Sequence, residues 1–453
     1  MANTTAPAML APPIPTTGPI VWLRANLFSS VGNSLLTVIG LFLIWRLVSF
    51  IVDWAFLSAV WNGPNGAYVS SWRVWELVTQ PWAATNAAPC RQPGTGACWP
   101  FVAAKFPQFM YGRFPLDQRW RVDLTYVLLI AGLVALMVPR IPGKVWSALY
   151  TFGFYPLIAY WLLNGSYATR AGWLDWVGLA ATIAGVALLV LHRRERLRNL
   201  PLGAPLIGTV CLIVGLVLAV RTLFSTSGII YLPPVPTELW GGLLVTLVVA
   251  LVGLAGAFPI GIALALGRRS RMPLVRWASV VFIEFVRGVP LITILFMASV
   301  MLPLFLPEGV SFDKLLRALI GVMLFQGAYM AETIRGGLQA LPRGQYEAAE
   351  ALGLDFRQKM ALVVQPQALR IVIPGIVNSF VGLFKDTSLV LIIGLFDLLG
   401  IVQLNANADP NWAAPTTSMT GYVFAGVIFF VFCFGISRYS QFVERRLDAA
   451  ERR

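Results

Sequence analysis

Stretches of about 20 apolar residues recur along this chain, and a run of that length matches the roughly 30 Å hydrocarbon layer of a bilayer. They fall near 35–58, 122–139, 145–163, 173–191, 205–224, 239–266, 280–306, 314–331, 371–400 and 421–437. In hydrocarbon every backbone N–H and C=O must find a partner within the protein, so runs of this kind fold as helices. The expected fold class is therefore all-α: a polytopic membrane helix bundle of about ten spans. Pro156 interrupts the third span, and Gly288-Val289-Pro290 is a candidate break in the seventh.

Composition excludes the soluble alternative. Hydrophobic residues make up 58% of the 453 positions and charged residues 12%, against about 25% charged in soluble domains. The 34 Lys+Arg against 20 Asp+Glu give a net charge of +14. Most of these basic residues lie between apolar stretches, which makes them a topology signal and argues against a nucleic-acid partner. With the N-terminus inside, the inner connections receive Arg140 and Lys144, then Arg193, Arg194, Arg196 and Arg198, then Arg268, Arg269, Arg271 and Arg276. Arg335, Arg343, Arg357, Lys359 and Arg370 follow, whereas the short outer loops hold only Arg170 before Lys314 and Arg317 begin the next helix. The bias agrees with ten spans and places both termini on the cytoplasmic side. Met1 to Pro19 reads as a cytosolic tail, so the first span stays as an uncleaved anchor.

Several chemistries are also excluded. One histidine, His192, and four cysteines leave no His/Cys cluster for a metal. No catalytic triad or paired-carboxylate arrangement is recognisable, and no Gly-x-x-x-x-Gly-Lys-Ser/Thr loop is present to cradle ATP.

Two segments do not fit a simple bundle, and function is expected there and in the spans they connect. Residues 61–121 form a long outer segment rich in Trp, Pro and Gly, with Trp61, Trp72, Trp75, Trp82 and Trp99 suited to the headgroup level. It holds Cys90 and Cys98, which are either disulfide-bonded in an oxidising compartment or two free thiols. Cys211 and Cys433 fall inside spans as small packing residues.

The second segment, 332–370, is polar and helix-forming. Gln345-Tyr346-Glu347-Ala348-Ala349-Glu350-Ala351-Leu352 is a run of helix formers stopped by Gly353, which suits a helix C′ position. Asp355 with Gln358 three residues on predicts a capping box for a second short helix, with Pro366 as its end. Two short helices at an angle make a knob that could dock into a groove on a soluble partner.

Glu347, Ala348, Ala349 and Gly353, with Val363 and Pro366, resemble the EAA-loop signature of ABC importer permeases; Gln365 stands where that pattern usually has leucine. Pro374, Asn378 and Lys385-Asp386-Thr387-Ser388-Leu389 are similar to the polar amino-acid branch of that family. Glu284, Arg287, Gly288 and Pro290, and Ala328, Tyr329, Glu332, Arg335, Gly336 and Gly337, fit the same branch. The resemblance covers about 204–453, and Gly96-Ala97-Cys98-Trp99 looks more narrowly like the longer permease of general L-amino acid import systems. It implies a cytosolic tail at 1–34, a membrane extension at 35–203 and a permease core at 204–453 whose coupling loop is 332–370.

The resemblance further implies a transmembrane subunit of an ATP-driven importer for amino acids. Its partners would be a second homologous permease subunit, ATP-binding subunits that hold the ATP and Mg, a periplasmic solute-binding protein, membrane lipid and the amino-acid substrate. No cofactor is expected in this chain, and ATP hydrolysis is expected elsewhere. Glu347 to Gly353 and Pro366 would form the ATPase-coupling loop. Glu284, Arg287, Glu332, Arg335, Asn378, Lys385, Asp386, Thr387 and Ser388 would be path or gate candidates.

Each assignment has a plainer counterpart. The knob could be a solvated connector, and Glu284–Arg287 and Glu332–Arg335 could be local ion pairs at i, i+3 spacing. Lys385 and Asp386 could be structural glue between helices instead of lining a path. A secondary carrier driven by an ion gradient is the rival function, but it calls for inverted repeats, and no second copy of the knob is evident.

Overall fold

The computed structural model describes residues 18–61, 88–166, 180, 231–307 and 312–451. Two expected spans, 173–191 and 205–224, fall outside the described residues, as do Trp72, Trp75, Trp82, His192 and Cys211. The described residues form helices: α1 Pro19–Asn26, α2 Val31–Val52, α3 Trp99–Tyr111, α4 Arg119–Met137, α5 Lys144–Leu149, α6 Tyr155–Asn164 and α7 Leu243–Arg268. Then come α8 Pro273–Gly288, α9 Leu291–Phe296, α10 Lys314–Ala340, α11 Arg343–Ala351, α12 Phe356–Gln358, α13 Gln365–Asp386, α14 Leu398–Ala408 and α15 Pro415–Glu451.

Among the described residues, six helical stretches are long and apolar enough to cross a bilayer, and a seventh is the bent pair Pro273–Gly288 and Leu291–Phe305. That pair turns through 104° at the expected break. Pro290 cannot donate a backbone hydrogen bond, and it forces the preceding Val289 out of the helical region to φ −108°, ψ 135°. The third expected span is helical from Lys144 to Asn164 but passes through a π turn at Tyr150–Phe154. Pro156 then sits in the first turn of α6, where its missing N–H costs little. The expected span 371–400 stops at Ile393, because Gly394 turns left-handed at φ +75° and Asp397 caps a new helix.

The chain divides into two compact units, Met1–Ala103 with Asn411–Thr420, and Ala104–Pro410 with Gly421–Arg453. In the first, α2 starts at Ser30, whose hydroxyl accepts from the Asn33 amide, and α2 has no buried residue. Such a helix is held up by its solvent, and an apolar surface of this extent requires lipid. Beside it Cys90 and Cys98 are joined as a disulfide. Gly96 fits there because a Cβ would stand 2.2 Å from the Trp54 carbonyl oxygen. The Cys98 amide donates to Thr420 Oγ1 at 2.8 Å, and the Trp61 and Trp99 rings stack at 5.7 Å.

The second unit is built on α7 and α10, which lie along one another for most of their length, with α13 against α10 and α8 closing the side. Small residues allow this approach. A Cβ at Gly256 would sit 2.1 Å from Met323 Sδ, one at Gly261 2.7 Å from Met330, and one at Gly327 2.7 Å from Ile260. Val245, Val249, Leu295, Ala318, Val322 and Leu383 fill the buried centre. The helix α10 runs on past Glu332 to Ala340, and α13 begins at Gln365, so the connection between the two spans is 341–364.

Candidate coupling knob and charge cluster

The knob is locked by local rules. α11 ends in a Schellman motif: the Gly353 amide bonds the Glu350 carbonyl at 2.9 Å and the Leu354 amide bonds the Ala349 carbonyl at 3.2 Å. Gly353 carries this with φ +74°. Asp355 then caps α12, its Oδ1 accepting from the Gln358 amide at 2.7 Å while Gln358 Oε1 accepts from the Asp355 amide at 3.1 Å. Pro366 does not end this helix, as the sequence had suggested. A π turn at Lys359–Val364 leads straight into α13, and Pro366 sits in its first turn, where a proline is tolerated.

Two side-chain pairs tie α11 to the segment that follows it. Lys359 donates to the Glu350 carboxylate, and this contact holds the Glu350 carboxyl below its ordinary range. Gln367 Nε2 donates to Gln345 Oε1 at 3.0 Å. Ala349 is buried, and Leu338, Leu341, Met360, Val364 and Val372 form an apolar base on which the Tyr346 ring rests. The outward face holds Glu347 and Ala348 together with Leu352, Phe356 and Leu362, which are 79%, 66% and 69% exposed.

Near the knob, Glu332 collects three guanidinium groups. Arg335 forks onto Oε1, with Nε at 2.9 Å, while Arg268 and Arg287 approach Oε2 at 3.4 and 3.7 Å. Arg268 also reaches Glu284 at 2.9 Å. The local pair expected for Glu284 with Arg287 is not the one formed: Arg287 turns to Glu332 and stands 5.6 Å over the Tyr329 ring. Arg268, the last residue of α7, was legible only as a topology charge, yet it joins α7 to α8 and α10. Three arginines against two glutamates leave the cluster with one excess positive charge.

Of the remaining candidates, Lys385 to Ser388 lie at another level. Gly375 faces Thr333, Gln326 Nε2 donates to the Ser379 carbonyl at 3.3 Å, and Val322 and Leu383 both border Gly253, so α10 and α13 run antiparallel. Val322 precedes Glu332 by ten residues, or about 15 Å of helix. Lys385 and Asp386 therefore do not join the Glu332 cluster. They sit where α13 gives way to a 3-10 turn, with Thr387 and Ser388 hydroxyls returned to the Phe384 and Lys385 carbonyls at 2.8 and 3.0 Å. Among the described residues neither Lys385 nor Asp386 forms an ion pair with another helix, and Asn378 is exposed.

This arrangement of broken span, basic cluster and knob lies within residues 257–449, which match the family described as binding-protein-dependent transport system inner membrane component. The inner membrane amino-acid ABC transporter permease protein YhdY of Escherichia coli is 44% identical over 434 residues, covering 95% of this chain and 93% of that protein. The chain belongs to the amino-acid ABC transporter permeases. The glutamate/glutamine/aspartate/asparagine transport system permease protein BztC of Rhodobacter capsulatus is 41% identical, over 98% of both chains. A shorter relative, the probable glutamine ABC transporter permease protein GlnP of Bacillus subtilis, is 32% identical and aligns over 93% of its own length. It accounts for only 46% of this permease, so the longer relatives share an extension that the shorter one lacks.

Proposed function

We propose that this permease is the membrane subunit of an ATP-driven importer that moves an amino acid from a periplasmic binding protein into the cytoplasm. The carrying observation is the outer face of the knob. Leu352, Phe356 and Leu362 stand exposed beside Glu347 on a polar connection between two spans, held there by a Schellman turn, a capping box and two side-chain pairs. A rigid, partly apolar surface of this kind suits docking against a soluble partner. Here the partner is an ATP-binding subunit, which supplies the ATP and Mg site. A second homologous permease subunit completes the path, and the Lys385 to Ser388 level of α13 lines it. Both termini lie in the cytoplasm, the side that receives the basic connections. The amino-acid class follows the names of YhdY and BztC.

The test is uptake into proteoliposomes holding the complex that co-purifies with tagged permease, with a mixture of radiolabelled L-amino acids and the cognate binding protein. ATP-dependent uptake that survives an uncoupler is expected. Uptake that follows an ion gradient without ATP would overturn this reading in favour of a secondary carrier.

A further inference from the structure

Tyr346 is placed differently from every other residue on the knob. Its hydroxyl donates to the Leu338 carbonyl of α10 at 3.0 Å and accepts from Arg269 Nη1, just beyond α7, at 3.0 Å. The Arg269 guanidinium stands 5.4 Å from the centre of the Tyr346 ring, within range of a cation–π contact. The other side-chain hydrogen bonds of α11, Gln345 with Gln367 and Glu350 with Lys359, reach only the segment that follows the knob in sequence. Among the described residues Tyr346 alone ties α11 by side-chain hydrogen bonds both to α10 and to the residue that follows α7.

Arg269 follows Arg268, and the two point to different tasks. Arg268 joins Glu284 and Glu332, and Arg269 holds the knob. A displacement of the knob therefore has a direct route through Tyr346 and Arg269 to the end of α7, and through Arg268 to the charge cluster between α7, α8 and α10. Without that route it would have to pass through the chain connections to α10 and α13 and the apolar base under the knob. We infer that Tyr346, with Arg269, is the positioning residue that transmits movement of the docking knob to the core helices during transport. This rests on the reading that the knob meets an ATP-binding subunit.

Tyr346→Phe keeps the ring and its stacking under Arg269 and removes both hydrogen bonds. Arg269→Lys keeps the charge and removes the planar donor, which a lysine does not replace at a stacked site. The experiment measures amino-acid uptake per ATP hydrolysed by the intact co-purified complex in proteoliposomes, alongside the amount of assembled complex. A coupling interaction changes an equilibrium by about fivefold or more. Each variant is expected to assemble fully and to lose about that factor in uptake per ATP, with ATP hydrolysis continuing. Unchanged uptake per ATP in Tyr346→Phe overturns the proposal, and so does loss of the ATP-binding subunits from the complex in both variants, which would make the contact one of assembly. If the unmodified complex shows no ATP-driven uptake, the proposed function fails instead.

Discussion

Glu332 on α10 and Arg268 at the end of α7 meet at 3.4 Å, although 64 residues separate them in the chain. Glu332 is the shared partner of three arginines, so its loss leaves three like charges converging on one place. Glu332→Gln should therefore lower stability by about 1.5–3 kcal/mol, the range for hydrogen bonds to charged groups. Arg268→Gln should cost less, because Glu332 keeps Arg335 and Arg287. Thermal unfolding of the detergent-solubilised complex ranks the two, and the opposite order would show that Glu332 is not the hub.

Gly353 is required for its backbone angle, since a Cβ there would meet nothing within 4 Å. Left-handed φ costs a β-branched residue roughly 1–2 kcal/mol, and the strain falls on the turn between α11 and α12. Gly353→Val should reduce uptake while the protein still inserts, and Gly353→Asn should do less harm, because asparagine tolerates this conformation. Normal uptake in Gly353→Val would detach the knob from transport.

How much of this was readable beforehand depends on whether the signal was local. The break at Gly288-Val289-Pro290, the Gly353 stop and the Asp355–Gln358 box are all fixed by neighbours in sequence, and each was legible there. Pro366 was misread because a proline can either end one helix or occupy the first turn of the next. Only the π turn before it decides which. Arg268, Arg269 and Tyr346 could not be assigned, since their partners come from α8, α10 and the knob. An aromatic residue beside Glu347 in a polar helix was the one available hint.

Asp397 gives the permease a pH dependence. Its side chain is fully buried at the start of α14, where Oδ1 accepts from the Gly400 amide at 2.9 Å and Oδ2 from the Leu399 amide at 3.2 Å. Burial outweighs those bonds and pushes its carboxyl from 3.8 up to about 6. The folded state thus holds a proton that the unfolded chain has released, and this contribution to stability is complete below 3.8 and lost as pH rises through 6. The change amounts to about 3 kcal/mol at most. Asp397→Asn, which retains an acceptor for the Gly400 amide, should flatten the stability profile between these two values. An unchanged slope would mean that another group sets it.

Cys90 and Cys98 enclose a short loop whose closure contributes about 2–3 kcal/mol by the chain-entropy estimate. Both sulfur-bearing residues are buried, at 2% and 0% exposure, so labelling must be done in denaturant. Without reductant neither should label, and after reduction both should. Ready labelling of both before reduction would place two free thiols here.

Lys385 and Asp386 present the sharpest choice. They are consecutive, so on a helix their side chains diverge by about 100°, and each would be costly facing lipid. Structural glue would require a partner on a neighbouring helix of the same chain, and among the described residues neither has an ion pair there. Lys385→Met and Asp386→Asn should each cut ATP-driven uptake about tenfold, equivalent to about 1.4 kcal/mol in the transport barrier. The amount of assembled complex in the membrane should stay unchanged. Packing residues would behave the other way, lowering yield or thermal stability first while each surviving complex transports normally. Uptake normalised to assembled complex separates these outcomes, and preserved normalised uptake in both variants would remove Lys385 and Asp386 from the path.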